Sequence, residues 1–410
     1  PEKGSSEHVM RIKDVPSQLN LARVLLEIRS GGATVRSSLA RDLHLSFATV
    51  SNISNLLEKN GFLYSSELRA SSGGRRPAQL TFNPRARFSL GLSIRHDLQV
   101  RFALLDLCSR VVEEFVVAPA QIGSVDDLIK ELSIRYRNQL ERHGIDAGMV
   151  IGAGVAIPGV SNRATGAVEA TTSPLLANLN LKDRLETVLS CPVYIHNDAA
   201  LAALAFSKAR EQDEENILLV YFSEGIGLGI VIGGEVYAGE TGFAGELGHT
   251  RWGHLVGSHE GNEGLELKHL VSVPAMVSEY YGKDVVATEP RNDWQAMLRH
   301  IQARSEDGDA RARELLERGG RIVGELVATL ADIFDPGLVA IGGVVQPILP
   351  TWMPIVRAHA RKSSFVAKHR DLMIIDAPDL ESFVLAGCGE MVFQQWITHS
   401  QIVSASVNGQ

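Results

Sequence analysis

Cysteine is scarce in this sequence of 410 residues. The three that occur, Cys108, Cys191 and Cys388, are far apart and lack the spacing of a metal site. Their odd number and scatter also exclude the disulfide framework that holds small secreted domains together. We therefore expect three reduced thiols, most of them buried.

Long hydrophobic runs are also missing. The longest apolar stretch, 149–160, is shorter than a bilayer span and contains glycine and proline. Residues 1–20 are polar and do not contain the apolar segment of a secretory signal. The composition, 45% apolar and 21% charged, is that of an ordinary globular protein with room for about two or three domains. We expect a cytoplasmic protein that does not contact a membrane.

Positive charge is concentrated at one end of the chain. Residues 1–90 contain 13 Lys and Arg against 7 Asp and Glu, a net of +6, whereas the whole chain carries −8. The remainder therefore has a net charge of −14. A basic segment on an acidic body indicates a nucleic-acid-binding unit, and a solvated basic surface is the alternative.

Three helical patterns follow one another in this basic segment. The first runs from near Asn20 to the glycines at 31–32, the second spans 35–43, and the third spans 46–60 with Ser46 as its N-cap. Apolar residues share one face of the third helix, and small polar residues point elsewhere. This is helix-turn-helix spacing, in which the third helix reads base edges and phosphates. Its predicted DNA-binding residues are Ser46, Ala48, Thr49, Ser51, Asn52 and Asn55.

Two short strand patterns, 62–66 and 78–82, follow the third helix and flank a glycine-containing loop. The order predicts a winged helix. Arg75 and Arg76 at the loop tip are expected to enter a minor groove, where narrow AT-rich DNA concentrates negative potential. The alternative is an exposed loop with solvated charge.

A glycine-rich stretch at 225–249 lies in the middle of the acidic part. Glycines at alternate positions let a ligand approach the main chain, and Gly233-Gly234 predicts a hairpin turn. The stretch ends with Glu246 and His249 between glycines. A carboxylate that accepts and an imidazole that donates or accepts suit a ligand with many hydroxyl groups, such as a sugar. The alternative is a hairpin with a surface Glu and a core His.

Several motifs occur in a fixed order along the chain. Gly73-Gly-Arg-Arg-Pro77 is followed by Pro158-Gly159, Asn197-Asp198, Gly245-Glu-Leu-Gly-His249 and Ile341-Gly-Gly343. In this combination the chain resembles, from about Asn20 onward, transcriptional regulators of the ROK family (repressors, open reading frames and kinases). The resemblance implies an α/β fold in which a winged helix-turn-helix precedes a two-lobed, actin-like (ribonuclease H-like) body around a sugar cleft. It also implies sugar contacts from Gly159, Asn178, Asn197, Asp198, Glu246, His249 and Glu266.

Two of these assignments have alternatives. Asp198 lies where a strand is expected to pass into a helix, so it could be only an N-cap. Glu266 is the nearest match to the family's third sugar-contacting Glu, but an ungapped reading places Lys268 at that position.

The body divides into two predicted lobes. We expect the DNA-binding domain at 1–82, a first lobe at 83–198 that is completed by 384–410, and a second lobe at 199–383. In the first, the sequence predicts strands at 88–92, 100–106, 111–117, 149–157 and 193–196 and helices at 125–143 and 181–189, with a closing helix at 386–397 that packs back on it. In the second, it predicts helices at 199–209 and 310–334 and strands at 217–222, 338–341 and 373–376.

The sequence departs from the sugar kinases of the family at the phosphate-binding hairpin. Those kinases have an Asp-x-Gly-Gly-Thr turn whose backbone amides hold ATP phosphates, whereas this chain has Ser93-Ile-Arg-His-Asp97. Glu224 in the second phosphate segment would repel a phosphate. We therefore predict no enzyme activity, although Asp198 matches the kinases' catalytic base; an ATP-dependent sugar kinase with an attached DNA-binding domain is the alternative.

The zinc motif of the family has lost its cysteines. The corresponding region, 257–266, contains none, so a closed zinc site would need replacement ligands from His249, His254, His259 and Glu260. We predict no metal and no cofactor.

These patterns predict a sugar-responsive transcriptional regulator, most simply a repressor that a sugar releases from its operator. The expected partners are double-stranded operator DNA, a small-molecule sugar effector, and a second copy in a homodimer or a dimer of dimers. A constitutive DNA-binding protein with a vestigial cleft is a further alternative.

Overall fold

A computed structural model of the chain describes residues 18–66, 78–95, 99–118, 123–162, 165–171, 173, 176–177, 179–210, 215–252, 265–283 and 294–399. Within these residues, no helix combines the length and the apolar character that crossing a bilayer requires.

The N-terminal unit consists of three helices and a small antiparallel sheet. Its elements are α1 (Gln18–Gly31), β1 (Thr34–Val35), α2 (Arg36–Asp42), α3 (Phe47–Lys59), β2 (Leu63–Ser66) and β3 (Gln79–Phe82). The strand order is β1-β3-β2, with both pairings antiparallel. The three expected helices and both expected strands are present, and β1 is an addition. Two residues between helices show no alternation, so this strand has no sequence signal.

Helix α3 is fixed at its start by a cap and along its length by burial. The Ser46 hydroxyl accepts a hydrogen bond from the Thr49 amide at 3.1 Å, as predicted. Val50, Ile53 and Leu57 are fully buried at helical spacing. The opposite face of α3 is therefore left toward solvent.

The first sheet of the body has five strands in the order β10-β7-β4-β5-β6. Its elements are β4 (Phe88–Ile94), β5 (Val100–Asp106), β6 (Val111–Val117), β7 (Val150–Ile157) and β10 (Val193–Asn197), with α4 (Val125–His143), α5 (Leu181–Leu189) and the short pair β8 (Gly159–Ser161) and β9 (Val168–Thr171) between them. Strands β4, β5 and β6 form an antiparallel meander, whereas β4, β7 and β10 run parallel.

The second sheet repeats this arrangement. Its order is β13-β12-β11-β14-β15, formed by β11 (Ile217–Phe222), β12 (Ile226–Ile232), β13 (Glu235–Val236), β14 (Leu338–Gly343) and β15 (Met373–Ala377). Again three strands form an antiparallel meander and the last two add in parallel. Gly233 and Gly234 form the predicted turn with φ of 59° and 76°, which a side chain disfavours. Two five-stranded sheets of identical order match the expected actin-like body.

The helices of the second half cover its sheet. They are α6 (Asp198–Lys208), α7 (Leu267–Val271), α8 (Val273–Tyr281), α9 (Trp294–Glu306), α10 (Ala310–Phe334), α11 (Leu349–Ser363) and α12 (Phe365–His369). The predicted bounds of α10 are correct. Gly319 and Gly324 let α10 approach α11 closely, because a Cβ would lie 2.8 Å from Trp352 and 2.6 Å from His359.

The last helix, α13 (Leu380–His399), contacts all three parts of the chain. Gly387 lies against α6, since a Cβ there would be 2.0 Å from the Leu201 carbonyl oxygen. Gly154 of β7 lies against the same helix, since a Cβ there would be 2.5 Å from the Cys388 carbonyl oxygen. Phe393 and Trp396 complete the core of the N-terminal unit. The predicted helix 386–397 is therefore correct in type, but it begins six positions late and misses the contacts beyond the first lobe.

Candidate functional site

A cleft of about 700 Å³ lies between the two halves of the body. It is lined by the end of β7, the start of α6, the β11–β12 hairpin and the segment at 243–249. Five predicted sugar-binding residues line it: Gly159, Asn197, Asp198, Glu246 and His249. The sequence places these residues far apart, and the fold brings them to one cavity.

Asn197 and Asp198 lie where β10 passes into α6. The Asn197 Oδ1 atom accepts hydrogen bonds from the amides of Ala199 and Ala200, and its Nδ2 atom donates to the Gly159 carbonyl at 3.2 Å. Asn197 is therefore the N-cap, and Asp198 is the first residue of the helix. The alternative in which Asp198 is the cap is wrong, and its carboxylate lies at the positive end of α6.

Gly159 occupies a position that no other residue fits. Its φ is 152°, and a Cβ would lie 2.1 Å from the Ala170 carbonyl oxygen of β9. The close β8–β9 pair thus brings main-chain groups to the cleft wall. A side chain at this position would push the strands apart.

Glu246 follows another required glycine. Gly245 has a φ of 95°, and a Cβ there would lie 2.1 Å from the Leu228 carbonyl oxygen. The Gly245 carbonyl in turn accepts from the Leu228 amide at 2.9 Å. This contact holds Glu246 at the cleft, where burial raises the pKa of its carboxyl and the charge of His249 opposes that rise.

His249, Glu266 and Lys268 form a cluster on one rim of the cleft. The Lys268 Nζ atom is 2.7 Å from Glu266 Oε2 and 3.2 Å from His249 Nδ1. The hydrogen bond from Lys268 lowers the pKa of the Glu266 carboxyl. Lys268 lines the cleft, whereas the lining residues do not include Glu266. Of the two alternatives at this position, the structure places the lysine on the cavity wall.

A much narrower pocket, about 50 Å³, opens beside the cleft. Arg95 and Arg101 of the β4–β5 hairpin line it together with Glu381 at the start of α13. Arg95 donates to Glu381, whose second oxygen is 3.8 Å from Arg101. Glu224 lines both cavities, so the carboxylate expected to repel a phosphate does face this space. Charged side chains thus occupy the region beside the hairpin.

Sequence reasoning missed several residues of the cleft wall. They include Thr171, Tyr221 and Phe243. Thr171 donates to the Pro158 carbonyl at 3.0 Å, and burial raises the pKa of the Tyr221 hydroxyl. Tyr221 ends an apolar strand and therefore resembles a core residue in sequence. Its proximity to Asp198 follows only from the fold.

The predicted DNA-binding residues of α3 share one outward face. Ser46, Ala48, Asn52 and Asn55 are exposed, whereas Thr49 and Ser51 are half-buried. Sequence reasoning missed two neighbours of this face. Phe47 is 58% exposed at the start of the helix, and Arg36 donates to Asn55 and pairs with Glu58, each at 3.2 Å.

Other predicted residues lie outside the described part of the chain. They are Arg75, Arg76, Asn178, His254, His259 and Glu260. Their predicted roles stay predictions. Within the described residues, no group of three or more His, Cys, Asp or Glu side chains is placed to hold a metal ion.

Sequence comparison finds related repressors over nearly the full length. The chain is 28% identical over 392 residues to a xylose repressor of Caldicellulosiruptor bescii, in an alignment that covers 93% of this chain and 97% of that protein. A solved ROK family transcriptional regulator, described as a homologue of the E. coli MLC protein, matches with a TM-score of 0.75 at 24% identity, covering 93% and 98% of the two chains.

Solved sugar kinases share the body. A ROK family glucokinase from Streptomyces griseus, in complex with glucose and AMPPNP, matches with a TM-score of 0.58 at 22% identity. The match covers 75% of this chain and 99% of the kinase chain. The ROK family model itself matches residues 128–381, more than half of the sequence. The chain therefore belongs to the ROK family.

Proposed function

We propose that the chain is a sugar-responsive transcriptional repressor. One observation supports this function above the others. The same chain contains a helical unit with a polar outward face and a body whose cleft is lined by groups that can bind hydroxyls. A repressor of the same family aligns over nearly the whole length, including the N-terminal unit. We assign residues 1–82 to DNA binding, and the two lobes at 83–198 with 384–410 and at 199–383 to effector binding.

The N-terminal unit acts as a winged helix-turn-helix. Helix α3 enters the major groove with Asn52 and Asn55, whose amides both donate and accept and so suit base edges. Ser46 and Thr49 at the start of the helix contact phosphate. Arg75 and Arg76, which lie between β2 and β3 in sequence, serve as contacts to the minor groove.

The cleft binds the sugar through opposed polar groups. Asp198 and Glu246 accept hydrogen bonds from hydroxyls, while main-chain groups near Gly159 provide further contacts. These residues belong to different halves of the body. A ligand that contacts both halves stabilises the arrangement in which they are close, and so favours one relative position of the lobes.

Helix α13 carries that change to the DNA-binding unit. Its first turn contains Glu381, beside the cleft, its middle packs against α6 and β7 at Gly387 and Cys388, and its end lies in the core of the N-terminal unit. Close main-chain packing along its length leaves little room for the helix to slip. Movement of the lobes therefore reorients the N-terminal unit. In a homodimer this alters the spacing of the two α3 helices.

The chain acts without phosphoryl transfer. The side chains of Arg95, Arg101, Glu224 and Glu381 occupy the region beside the β4–β5 hairpin, in place of a turn rich in glycine. Glu381 partly neutralises Arg95 and Arg101, and Glu224 adds a carboxylate that opposes the entry of a nucleotide's phosphates. Asp198, which matches a kinase base, serves as a hydroxyl acceptor.

The described residues do not fit the zinc ion that the family motif implies. Cysteine is absent from 253–266, and the Nδ1 atom of His249 has the ammonium of Lys268 at 3.2 Å. A cation beside a ligand nitrogen opposes the binding of a second cation. We propose that this region works without metal.

An operator mobility-shift titration tests the function. Duplexes are enriched from a random library by binding to the full chain, and the complex is then titrated with a panel of neutral and charged sugars. At least one sugar should release the DNA. Retention of the complex across the whole panel would contradict the repressor, and ADP release in a coupled assay that Asp198→Asn abolishes would support the kinase instead.

A further inference from the structure

The rim of the cleft formed by His249, Glu266 and Lys268 differs in chemistry from other parts of the cleft. Lysine has three ammonium hydrogens and no acceptor. Two of them are directed at Glu266 Oε2 and His249 Nδ1, at 2.7 Å and 3.2 Å. The Lys268 side chain also lines the cleft. Among the residues that the structure describes, no further partner of this ammonium is found, which leaves its third hydrogen for a ligand.

The lysine also determines which hydrogen His249 carries. Because an ammonium group only donates, the Nδ1 atom of His249 accepts, and its hydrogen lies on Nε2. The imidazole is 60% exposed and lines the same cavity. His249 and Lys268 thus both present donors at this rim, while the carboxylate of Glu266 is held by the lysine.

Other lining residues of the cleft present acceptors. Asp198 lies at the start of α6, and Glu246 faces the cavity from the glycine-rich segment. Hydroxyl groups, which donate, satisfy these carboxylates. The hydrogen-bond donors of His249 and Lys268 pair best with a ligand group that only accepts. An anionic oxygen forms shorter and stronger hydrogen bonds with an ammonium group than a neutral oxygen does.

A purely structural role for Lys268 does not account for its position. The segments on either side of the rim are already joined through main-chain bonds. The Trp252 amide donates to the Leu265 carbonyl at 3.0 Å, and the Leu267 amide donates to the Thr250 carbonyl at 2.8 Å. The Lys268–Glu266 pair is partly exposed, and such pairs contribute little stability. The lysine is thus free to serve the cavity.

We propose that the effector is a sugar that carries an anionic group, a carboxylate or a phosphate, bound by Lys268 and His249 while its hydroxyls meet Asp198 and Glu246. This inference rests on the proposed function, since it names the class of ligand for the same cleft. Lys268 is then the residue that determines specificity between charged and neutral sugars.

Calorimetric titration of the full chain with matched ligands tests the inference. Glucose is compared with glucuronate, glucose 1-phosphate and glucose 6-phosphate, and xylose with xylonate. At least one anionic member should bind about tenfold or more tightly than its neutral counterpart. The carboxylate and phosphate arms then distinguish the two sources of charge.

Three variants connect the preference to the lysine. Lys268→Met should remove the preference for the anion, whereas Lys268→Arg, which keeps the charge, should retain it. Lys362→Met, an exposed lysine of α11, is the matched control and should behave as the parent chain. The thermal midpoint without ligand checks that each variant folds.

Two results would overturn the inference. In the first, neutral sugars bind as tightly as their anionic partners; in the second, the preference survives in Lys268→Met. Both leave the sugar cleft itself intact. If no sugar of either kind binds, the proposed function fails together with the inference, so the two failures can be told apart.

Discussion

Arg29 of α1 donates through both terminal nitrogens to the two carboxylate oxygens of Glu390 in α13, although 361 residues separate them in sequence. Its Nε atom donates to the Leu107 carbonyl at 2.8 Å, and its guanidinium lies 4.1 Å from the centre of the Phe393 ring. Glu390 is 5% exposed and also accepts from the Ser109 hydroxyl at 2.8 Å. The N-terminal unit is thus held to the body by a bidentate ion pair whose carboxylate is buried.

Glu390→Gln should weaken this attachment. The substitution keeps the shape of the side chain but leaves the Arg29 guanidinium without a counter-ion, at a cost of about 2 kcal/mol in the free energy of unfolding. Chemical denaturation measures the loss. If α13 carries the signal from the cleft, the variant should still bind operator, but release should need more sugar.

The matched control is Arg361→Gln. Arg361 pairs with Asp371 at 3.1 Å on the surface, with both side chains more than 70% exposed. Its loss should cost less than about 0.5 kcal/mol and leave the sugar response unchanged. An unaltered sugar response in Glu390→Gln, with the stability lost as expected, would argue against transmission through this contact.

Asn52→Ala should reduce operator affinity without loss of stability. Asn52 is exposed on α3, so truncation leaves the core intact, while a lost contact to a base edge costs about 1–3 kcal/mol. The effect should be larger on the selected operator than on a scrambled duplex of the same composition, as measured by mobility shift. Equal loss on both duplexes would assign Asn52 to phosphate instead.

Asp198→Ala should separate the two activities of the molecule. Operator binding should persist, because the residue lies in the cleft and Asn197 remains as the cap of α6. Release by sugar should require at least about tenfold more ligand, since a charge-assisted hydrogen bond is lost. Release at the parental sugar concentration would remove Asp198 from the binding site. Asp183→Ala, on the exposed start of α5, is the control.

Because of Glu246, the stability of the sugar-free protein and its affinity for the sugar should change in opposite directions with pH. Burial raises the pKa of its carboxyl in the folded state. Its contribution to stability is therefore present below the unfolded pKa and is lost as the pH rises through the folded pKa. A sugar that needs the ionised carboxylate binds more tightly over the same rise. Glu246→Gln should flatten both trends in thermal unfolding between about pH 4.5 and 7.5. Parallel trends in the parent chain would exclude an ionised Glu246 as the acceptor.

Gly387→Ala should destabilise the junction of α13 and α6. The added methyl group would lie 2.0 Å from the Leu201 carbonyl oxygen, so the helices must separate. We expect a loss of about 1–3 kcal/mol, as for other overpacked cores. Gly31→Ala, where nothing lies within 4 Å of the added carbon, is the control and should not destabilise. Unfolding in denaturant measures both, and equal stabilities would contradict the close packing.

Much of the fold could be predicted because local signals were strong. Helices α4, α5 and α10 have caps and amphipathic periods that fix their bounds, and β6 and β11 are short runs between clear turns. The start of α13 was missed because it is apolar on most sides, so it lacks the period that marks a surface helix. Its contacts with α1 and α6 depend on residues distant in sequence.

The candidate site was predictable only where a motif named it. Glu246 and His249 came from the glycine-rich stretch, Gly159, Asn197 and Asp198 came from the family resemblance, and the fold does place all of them around one cavity. Periodicity alone carries no such information, because Tyr221 and Phe243 look like ordinary apolar residues. The choice between Glu266 and Lys268 required the position of the start of α7 relative to the cleft, which sequence spacing does not determine.

The contact of α1 with α13 also concerns the order of synthesis. The N-terminal unit leaves the ribosome early. Phe393 and Trp396, which complete its hydrophobic core, emerge several hundred residues later. Until then the unit has an open apolar side and no connection to the cleft. A chain that ended before α13 would therefore carry the N-terminal unit without the side chains that close its core.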